Sequence, residues 1–308
     1  MIEVSQLTKT YAGGVPALRG VDLRIDGAGL FGLLGPNGAG KTTFMRLLAG
    51  LLRPTSGTVR IGGHDLATPQ GRQAAKAQLG YLPQELGLYP DLTAREFLDY
   101  VGILKGLTQP AARRRQIAEL LELVRLTEVA GRRLKSFSGG MKRRVGVAQA
   151  LLGAPQLVMV DEPTAGLDPE ERIHLRNLLG ETARRCTVVL STHIVEDMSQ
   201  TCNDLAVIQR GQVLSRTRPR DLIAAARGHV WQVTAPGPLP EGDFTIVSTL
   251  PSAEGTLYRV VGAAELPFSA APVEPTLEDG YMWLMQSGRA EGVNNIRGSR
   301  IADDETTG

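Results

Sequence analysis

The sequence has few cysteines and no long apolar run. Cys186 and Cys202 are its only two cysteines, too few for a disulfide scaffold or a zinc site built from thiolates. We expect both thiols to be reduced in a cytosolic protein, with burial as their ordinary role. No stretch of about 18 apolar residues occurs, which predicts no membrane-spanning helix. The first residues, MIEVSQLTKTY, lack the apolar core of a signal peptide.

The sequence also lacks an excess of charge of one sign. It has 34 Lys and Arg against 32 Asp and Glu, a formal net charge of +2. A nearly neutral chain of this length creates no strong field that attracts nucleic acid or anionic lipid. We therefore interpret the basic runs 113–115 and 142–144 as solvated faces, and expect no nucleic-acid partner. Glycine, in contrast, is abundant at 36 residues of 308, which predicts tight turns or close approach of backbone to a ligand.

The 308 residues predict two domains at about 150 residues each. Up to residue 215, short β-rich runs alternate with helical patterns, which predicts an α/β fold with a mainly parallel sheet. Residues 86–152 show helical periodicity alone, and we predict an all-helical subdomain there. The predicted strands are 2–7, 30–34, 58–61, 157–160, 187–191 and 205–209.

The last third of the chain has a different composition. Residues 216–225 are polar and contain proline, which predicts a linker. Strand-like runs separated by turn-rich segments then predict a small C-terminal α+β domain at 226–285. Residues 286–308 are polar without periodicity, and we predict a disordered tail.

The most specific motif is the segment GPNGAGKT, which begins at Gly35 and matches GxxxxGK[ST] without deviation. An apolar run precedes it and a helical pattern follows it. The glycines let successive N–H groups point at phosphate oxygens, and the helix adds its positive end. Lys41 then brings a charge to the β and γ phosphates, and the Thr42 hydroxyl can ligate Mg²⁺. The alternative, a glycine-rich turn without a ligand, fits the strand-and-helix context less well.

Two other segments complete a candidate site. The apolar run 157–160 ends at Asp161 and Glu162, and an acid at the carboxyl end of such a strand lies near the phosphate loop of the same sheet. We expect Asp161 to hold Mg²⁺ through water and Glu162 to polarise an attacking water. Ser138 is the predicted N-cap of a helix whose open N–H groups form a second phosphate cradle; a purely structural cap is the alternative.

Together these residues resemble the ATP-binding cassette ATPases, the nucleotide-binding subunits of ABC transporters, over residues 2–215. The resemblance implies the P-loop NTPase fold of the ABC type with a helical subdomain. It also implies a Mg-dependent ATPase with ATP and Mg²⁺ as cofactors. By the same resemblance, Glu162, His193 and Gln84 are assigned to catalysis, and Thr42, Gln84 and Asp161 to the metal. The residues assigned to the nucleotide are Tyr11, Gly35, Pro36, Asn37, Gly38, Ala39, Gly40, Lys41, Thr42, Thr43, Ser138, Gly139, Gly140, Met141 and Asp168.

Some of these roles rest on the resemblance alone. By themselves, His193 is an ordinary structural histidine, Tyr11 a packing aromatic and Gln84 a polar loop residue. The family assigns them to contact with γ-phosphate, stacking on adenine, and sensing of γ-phosphate, respectively. The segment FSGGM, which begins at Phe137, matches the family's signature motif but departs from its pattern, because Phe137 replaces Leu and Met141 replaces Gln. We expect Phe137 to keep an apolar anchor and the backbone donors of the signature to remain.

The resemblance also implies partners. In the family, the phosphate loop of one subunit faces the signature motif of another across ATP, and this chain carries one copy of each. We therefore expect a homodimer, or a pair with a related cassette subunit. The resemblance further implies an integral membrane permease of about six spans, and hence a peripheral location at the cytoplasmic face of the cell membrane. Residues 85–100 are the predicted docking site for a permease helix; a solvated helical hairpin is the alternative.

The segment VEPTLEDGYMWLM at 273–285 resembles the ending of cassettes that serve ABC-2-type exporters. A short amphipathic helix that covers the small domain also explains it. We predict the ATP-binding and ATP-hydrolysing subunit of an ABC-2-type exporter. The alternative is a soluble cassette ATPase of translation or DNA repair. A single cassette, with no long coiled coil between Lys41 and Asp161, disfavours that alternative.

Overall fold

The computed structural model describes residues 1–199, 202–239, 241–262 and 270–290. They form two compact units, divided after Val213. The strands up to the division are β1 Ile2–Thr10, β2 Pro16–Ile25, β3 Gly29–Leu34, β4 Ser56–Ile61, β5 His64–Asp65, β6 Leu79–Leu82, β7 Leu157–Asp161, β8 Thr187–Thr192, β9 Asp204–Gln209 and β10 Gln212–Thr217, which crosses it. The helices are α1 Lys41–Leu48, α2 Pro69–Ala77, α3 Ala94–Leu104, α4 Pro110–Leu123, α5 Gly139–Leu151, α6 Pro169–Ala183 and α7 Glu196–Ser199.

A six-stranded sheet positions the candidate site. Its strand order is β10-β9-β3-β8-β7-β6, and the strands from β9 to β6 run parallel. Every residue of β7 and β8 is buried, as expected for central parallel strands covered on both faces. In register, Leu34 faces Thr192 and Asp161 faces Ser191. The carboxyl ends of β3, β7 and β8 therefore meet at one edge of the sheet.

A second sheet, with strand order β2-β1-β4-β5, is antiparallel. Its apolar side chains share one core with α1 and the large sheet, in which Phe44 and Leu33 are almost fully buried. All six predicted strands occur, as β1, β3, β4, β7, β8 and β9. We missed β2 because Gly20, at a φ of 78°, interrupts its alternation of buried and exposed residues.

The region between residues 86 and 152, all of which the structure describes, contains helices and short turns and no strand. Helix α3 begins with a capping box, in which Thr93 and Glu96 each bind the other's backbone N–H. Phe97 and Leu98 of α3 are buried, as are Ile117 and Leu121 of α4. The helical prediction is confirmed. None of the described helices is long and apolar enough to cross a bilayer.

The second unit contains an antiparallel sheet of order β12-β13-β11-β14 and two helices. Val230, Val261 and Ala226 form a small buried cluster against which Trp283 packs. These strands lie where alternation and turn residues predict them. The elements are α8 Pro219–Ala225, β11 Val230–Ala235, β12 Phe244–Ser252, β13 Gly255–Gly262, β14 Ala271–Pro272 and α9 Leu277–Ala290.

Two expectations near this unit were wrong. Residues 216–225 are not an irregular linker, because β10 continues to Thr217 and Pro219 begins α8. Proline suits a first helical turn, whose N–H groups lack intrahelical partners, and burial of Leu222 holds the helix in place. Residues 286–290 are helical rather than disordered, since Gln286 continues α9 and donates to the carbonyl of Asp243. The rest of the predicted tail, 291–308, lies outside the described residues.

Candidate nucleotide-binding site

The phosphate loop joins β3 to α1, and at two of its glycines no residue with a side chain would fit. Gly40 has a φ of 106°, and a Cβ there would lie 2.6 Å from the carbonyl oxygen of Ala17. A Cβ on Gly35 would lie 2.2 Å from the carbonyl oxygen of Ile208. Helix α1 then begins at Lys41, and no side chain of the described residues caps it. Its first N–H groups are therefore available to an anion, and the helix dipole favours one there.

Lys41 is buried beside this loop and faces an acid from another strand. Its Nζ donates to the carbonyl oxygens of Gly35 at 2.8 Å and Pro36 at 3.2 Å. It also lies 3.1 Å from Oε1 of Glu162, and both side chains are at most 6% exposed. A buried ammonium requires such compensation. A phosphate in the loop would offer Lys41 the anionic partner that Glu162 supplies in this structure.

Asp161, at the end of β7, has a carboxylate that could hold a metal ion. Its Oδ1 accepts a hydrogen bond from the Ser191 hydroxyl and lies 3.4 Å from Oγ1 of Thr42. Its Oδ2 is buried and has no hydrogen-bond partner among the described residues. Such an oxygen is expected to be satisfied in the working protein. The pair of Asp161 and Thr42 fits Mg²⁺, which takes oxygen ligands and is usually held by one or two carboxylates together with substrate phosphates.

Glu162 has a backbone conformation that few glutamates adopt. Its φ is 47°, in the left-handed region, which costs about 1–3 kcal/mol and persists only where the surroundings fix it. Its N–H donates to the carbonyl of Ser191 at 3.0 Å, and its carbonyl accepts from Arg143. Its Oε2 lies 2.8 Å from Nδ1 of His193, the residue after β8. The carboxylate is thereby held between Lys41 and His193.

Tyr11 lies near the same helix. Its hydroxyl is 3.1 Å from Oγ1 of Thr43, the third residue of α1. Thr43 is also one of the residues predicted to contact the nucleotide. The ring is 38% exposed, and the Lys9 ammonium lies 5.5 Å from its centroid. An exposed aromatic beside the phosphate loop suits the predicted stacking on adenine, which stays a prediction.

The remaining predicted residues do not join this cluster. The Gln84 residue is exposed, and its carbonyl, rather than its amide, has a described partner, Arg143. Ser138 caps α5 by accepting from the N–H of Met141 at 3.2 Å, and Asp168 caps α6 by accepting from Glu171 at 2.9 Å. Gly139 and Gly140 begin α5. Within one chain, Ser138 and Asp168 cap helices, and Gly139 and Gly140 form the first turn of one.

Sequence reasoning missed two residues of the site, Ser191 and Arg143. Ser191 bonds to both acids, and its place opposite Asp161 in the β7–β8 register is the signal that could have found it. Arg143 is buried, and burial lowers the pKa of its guanidinium while the nearby Asp161 and Glu162 oppose the shift. Arg113 is also buried, with its Nε 2.7 Å from Oδ1 of Asp99. The interpretation of both basic runs as solvated faces was therefore wrong at these two positions.

Comparisons with known proteins agree with this geometry. The family model described as "ABC transporter" matches residues 18–165. The chain is 37% identical over 243 residues to the linearmycin resistance ATP-binding protein LnrL of Bacillus subtilis (strain 168), covering 77% of this chain and 76% of that one. The chain belongs to the ABC transporter family. It is an ATP-binding cassette of that family, as the motifs predict.

The cassette is also similar to a second relative in sequence and to a solved structure in fold. The cassette is 39% identical over 243 residues to the Nod factor export ATP-binding protein I of Paraburkholderia xenovorans (strain LB400), covering 77% of this chain and 78% of that one. It is 28% identical, with a TM-score of 0.66, to the solved dimer of the ATP-binding cassette MJ0796 bound to ADP and Pi. That similarity covers 71% of this chain and 98% of the other. The predicted cassette fold is confirmed.

Proposed function

We propose that this cassette hydrolyses ATP with Mg²⁺ and thereby powers export through a separate membrane permease. The observation that carries the proposal is the meeting of Lys41, Glu162 and His193 at one edge of the sheet, beside the unpartnered Oδ2 of Asp161. This arrangement suits phosphoryl transfer to water, because Lys41 supplies a cation, Glu162 a base and His193 an imidazole beside the uncapped start of α1.

Each side chain has a distinct task in this reaction. Lys41 and the first N–H groups of α1 hold the phosphates, and the Tyr11 ring would stack on the adenine. Thr42 and Asp161 would hold Mg²⁺, which neutralises charge on the phosphate oxygens. Glu162 orients the attacking water and accepts its proton. His193 lies 2.8 Å from Glu162 and braces it, and it would contact the γ-phosphate.

The site as proposed needs a second subunit. Ser138, Gly140 and Asp168 lie at helix starts that share no described hydrogen bond with the Lys41 cluster. The relative MJ0796 is a dimer in its solved structure. A two-fold pair of this chain, or a pair with a related cassette, would bring one subunit's signature helix to the other's nucleotide. ATP would close the dimer and hydrolysis would release it.

A groove on the helical subdomain is the proposed permease contact. It encloses about 390 Å³ and is lined by Tyr89, Pro90, Asp91, Leu92 and Tyr100. Tyr89 and Tyr100 meet edge to face at 5.6 Å between ring centroids and are 52% and 42% exposed. An exposed aromatic groove of this kind suits an amphipathic helix of a permease. The cassette would then lie at the cytoplasmic face of the membrane.

The direction of transport is inferred from relatives. Those compared above are named for linearmycin resistance and for Nod factor export. The segment at 273–285 resembles the ending of ABC-2-type cassettes, so we propose an exporter of that type.

Co-purification tests the proposal. The tagged chain is expressed in its native cells, membranes are solubilised in detergent, and partners are identified by mass spectrometry. We expect a stoichiometric membrane protein of about six spans. Recovery in a ribosomal or DNA-bound fraction without a membrane partner would refute the transport function and leave the ATPase site to be tested separately.

A further inference from the structure

The guanidinium of Arg143 connects three segments of the site. Arg143 lies near the start of α5 and is 6% exposed. Its acceptors are all backbone carbonyl oxygens, from the last residue of β7 and from the loops that follow β6 and β7. Nε donates to Pro163 at 2.9 Å, Nη1 to Gln84 at 2.7 Å and Pro83 at 3.3 Å, and Nη2 to Asp161 at 3.3 Å and to Glu162.

Packing alone does not account for a buried arginine here. None of the described carboxylates lies within ion-pair distance of Arg143, so its direct partners are carbonyl oxygens, and the charges of Asp161 and Glu162 act on it from farther away. Burying a charge in this way is costly unless its donors are all bonded. The planar fork has five N–H donors at fixed angles, which match five diverging acceptors in a way that a lysine or an amide does not.

One of these bonds acts on the unusual backbone of Glu162. The left-handed conformation of Glu162 directs its carboxylate to Lys41 and His193. Arg143 holds the carbonyl of Glu162, and Ser191 accepts from its N–H. The same guanidinium holds the carbonyl of Gln84, so a movement of either loop changes the bonds of the other.

We propose that Arg143 is a positioning residue for ATP hydrolysis. It holds the Gln84 loop and the Glu162 loop in one arrangement with α5, the helix that begins after Ser138. The inference rests on the proposed function, because it takes Glu162 as the base. Lys41 and the phosphate loop make no described contact with Arg143, so loss of the fork slows the chemical step and leaves nucleotide binding intact.

The test compares Arg143→Gln and Arg143→Lys with a control, Arg114→Gln, at an exposed arginine of α4. The full chain is used, and thermal melting, the Kd for a fluorescent ATP analogue, and kcat and KM for Mg-ATP are measured. We expect kcat of Arg143→Gln to fall about tenfold or more, with Kd and KM within about threefold of the parent. Arg143→Lys should recover part of kcat, because it keeps a charged donor, and the control should match the parent.

A folded Arg143→Gln chain with kcat within about twofold of the parent, or with a loss confined to KM, would overturn the inference. If neither variant folds, hydrogen exchange on the parent chain decides. We expect ATP to change the exchange of residues 83–86 and 161–164 together, and independent changes would overturn the coupling. A parent chain that binds ATP without hydrolysing it would refute the proposed function, and the exchange experiment would still decide whether the two loops respond as one.

Discussion

At the scale of single residues, the proposed function assigns the deprotonation of the attacking water to the carboxylate of Glu162. The carboxylate lies between Lys41 and His193, and its replacement by the isosteric amide keeps the shape of the site. We expect Glu162→Gln to bind ATP, to lose turnover by about 10²-fold or more, and to accumulate as an ATP-bound dimer, because the water is no longer deprotonated. ATPase assays and light scattering with ATP check this. A monomer with parental turnover would contradict the site assignment.

Lys41 supplies the positive charge of the phosphate loop. In this structure the Lys41 ammonium donates to two loop carbonyls and pairs with Glu162, and a phosphate in the loop would offer it an anionic partner in place of Glu162. We expect Lys41→Ala to weaken ATP binding by about tenfold or more, which is about 1.4 kcal/mol or more, measured by titration with a fluorescent analogue. Arg114→Gln, at an exposed position, is the control. Unchanged affinity of the alanine variant would refute the phosphate-loop assignment.

At the scale of elements, the start of α9 explains part of the exporter-like C-terminal segment. Asp279 is fully buried and accepts from Arg259 Nη2 at 2.6 Å and from the N–H of Thr276 at 2.6 Å. The Thr276 hydroxyl in turn accepts from the Asp279 N–H, which makes a cap. Two residues of TLED therefore fasten the helix to β13, a structural task that the motif resemblance alone does not reveal.

This cap makes the second unit sensitive to acid. Burial by itself raises the pKa of Asp279, but the hydrogen bonds from Arg259 and Thr276 outweigh it, and the pKa lies below its ordinary value. Stability from this carboxylate is therefore present above the ordinary aspartate pKa and is lost as the pH falls through the lowered one. We expect Asp279→Asn to cost about 3 kcal/mol at neutral pH, with the difference from the parent shrinking in acid.

Both tryptophans of the sequence, Trp231 and Trp283, belong to this unit, so their fluorescence reports its unfolding in denaturant. The exposed Asp221 of α8 provides the matched control, Asp221→Asn. A difference between Asp279→Asn and the parent that persists undiminished in acid would contradict the assignment of stability to the ionised carboxylate.

At the scale of the whole molecule, the proposed function depends on surfaces that meet other chains. If the Tyr89–Tyr100 groove receives a permease helix, a charge inside it should exclude an apolar partner. We expect Tyr100→Glu to lose the co-purified membrane protein while keeping its thermal melting temperature. Leu51→Glu, at an exposed leucine outside the groove, should retain the partner. Retention of the partner by Tyr100→Glu would place the docking surface elsewhere.

The phosphate loop, the acid pair at the end of β7, most strands and the helical region between residues 86 and 152 could be predicted from the sequence. These are local properties: glycine permits the loop, and the period of apolar residues selects helix or strand. Tyr11, Gln84 and His193 could be assigned only through the family resemblance, because no local pattern distinguishes any of them from an ordinary structural residue.

Tertiary structure alone decided which charges are buried and what they face. Arg113 and Arg143 stand in basic runs typical of a solvated surface, yet Arg113 pairs with Asp99 and Arg143 with carbonyls of two loops. Likewise, Lys41 and Glu162 meet only because parallel pairing brings the ends of β3 and β7 to one edge. Burial and pairing depend on contacts between residues far apart in sequence, which periodicity and spacing do not encode.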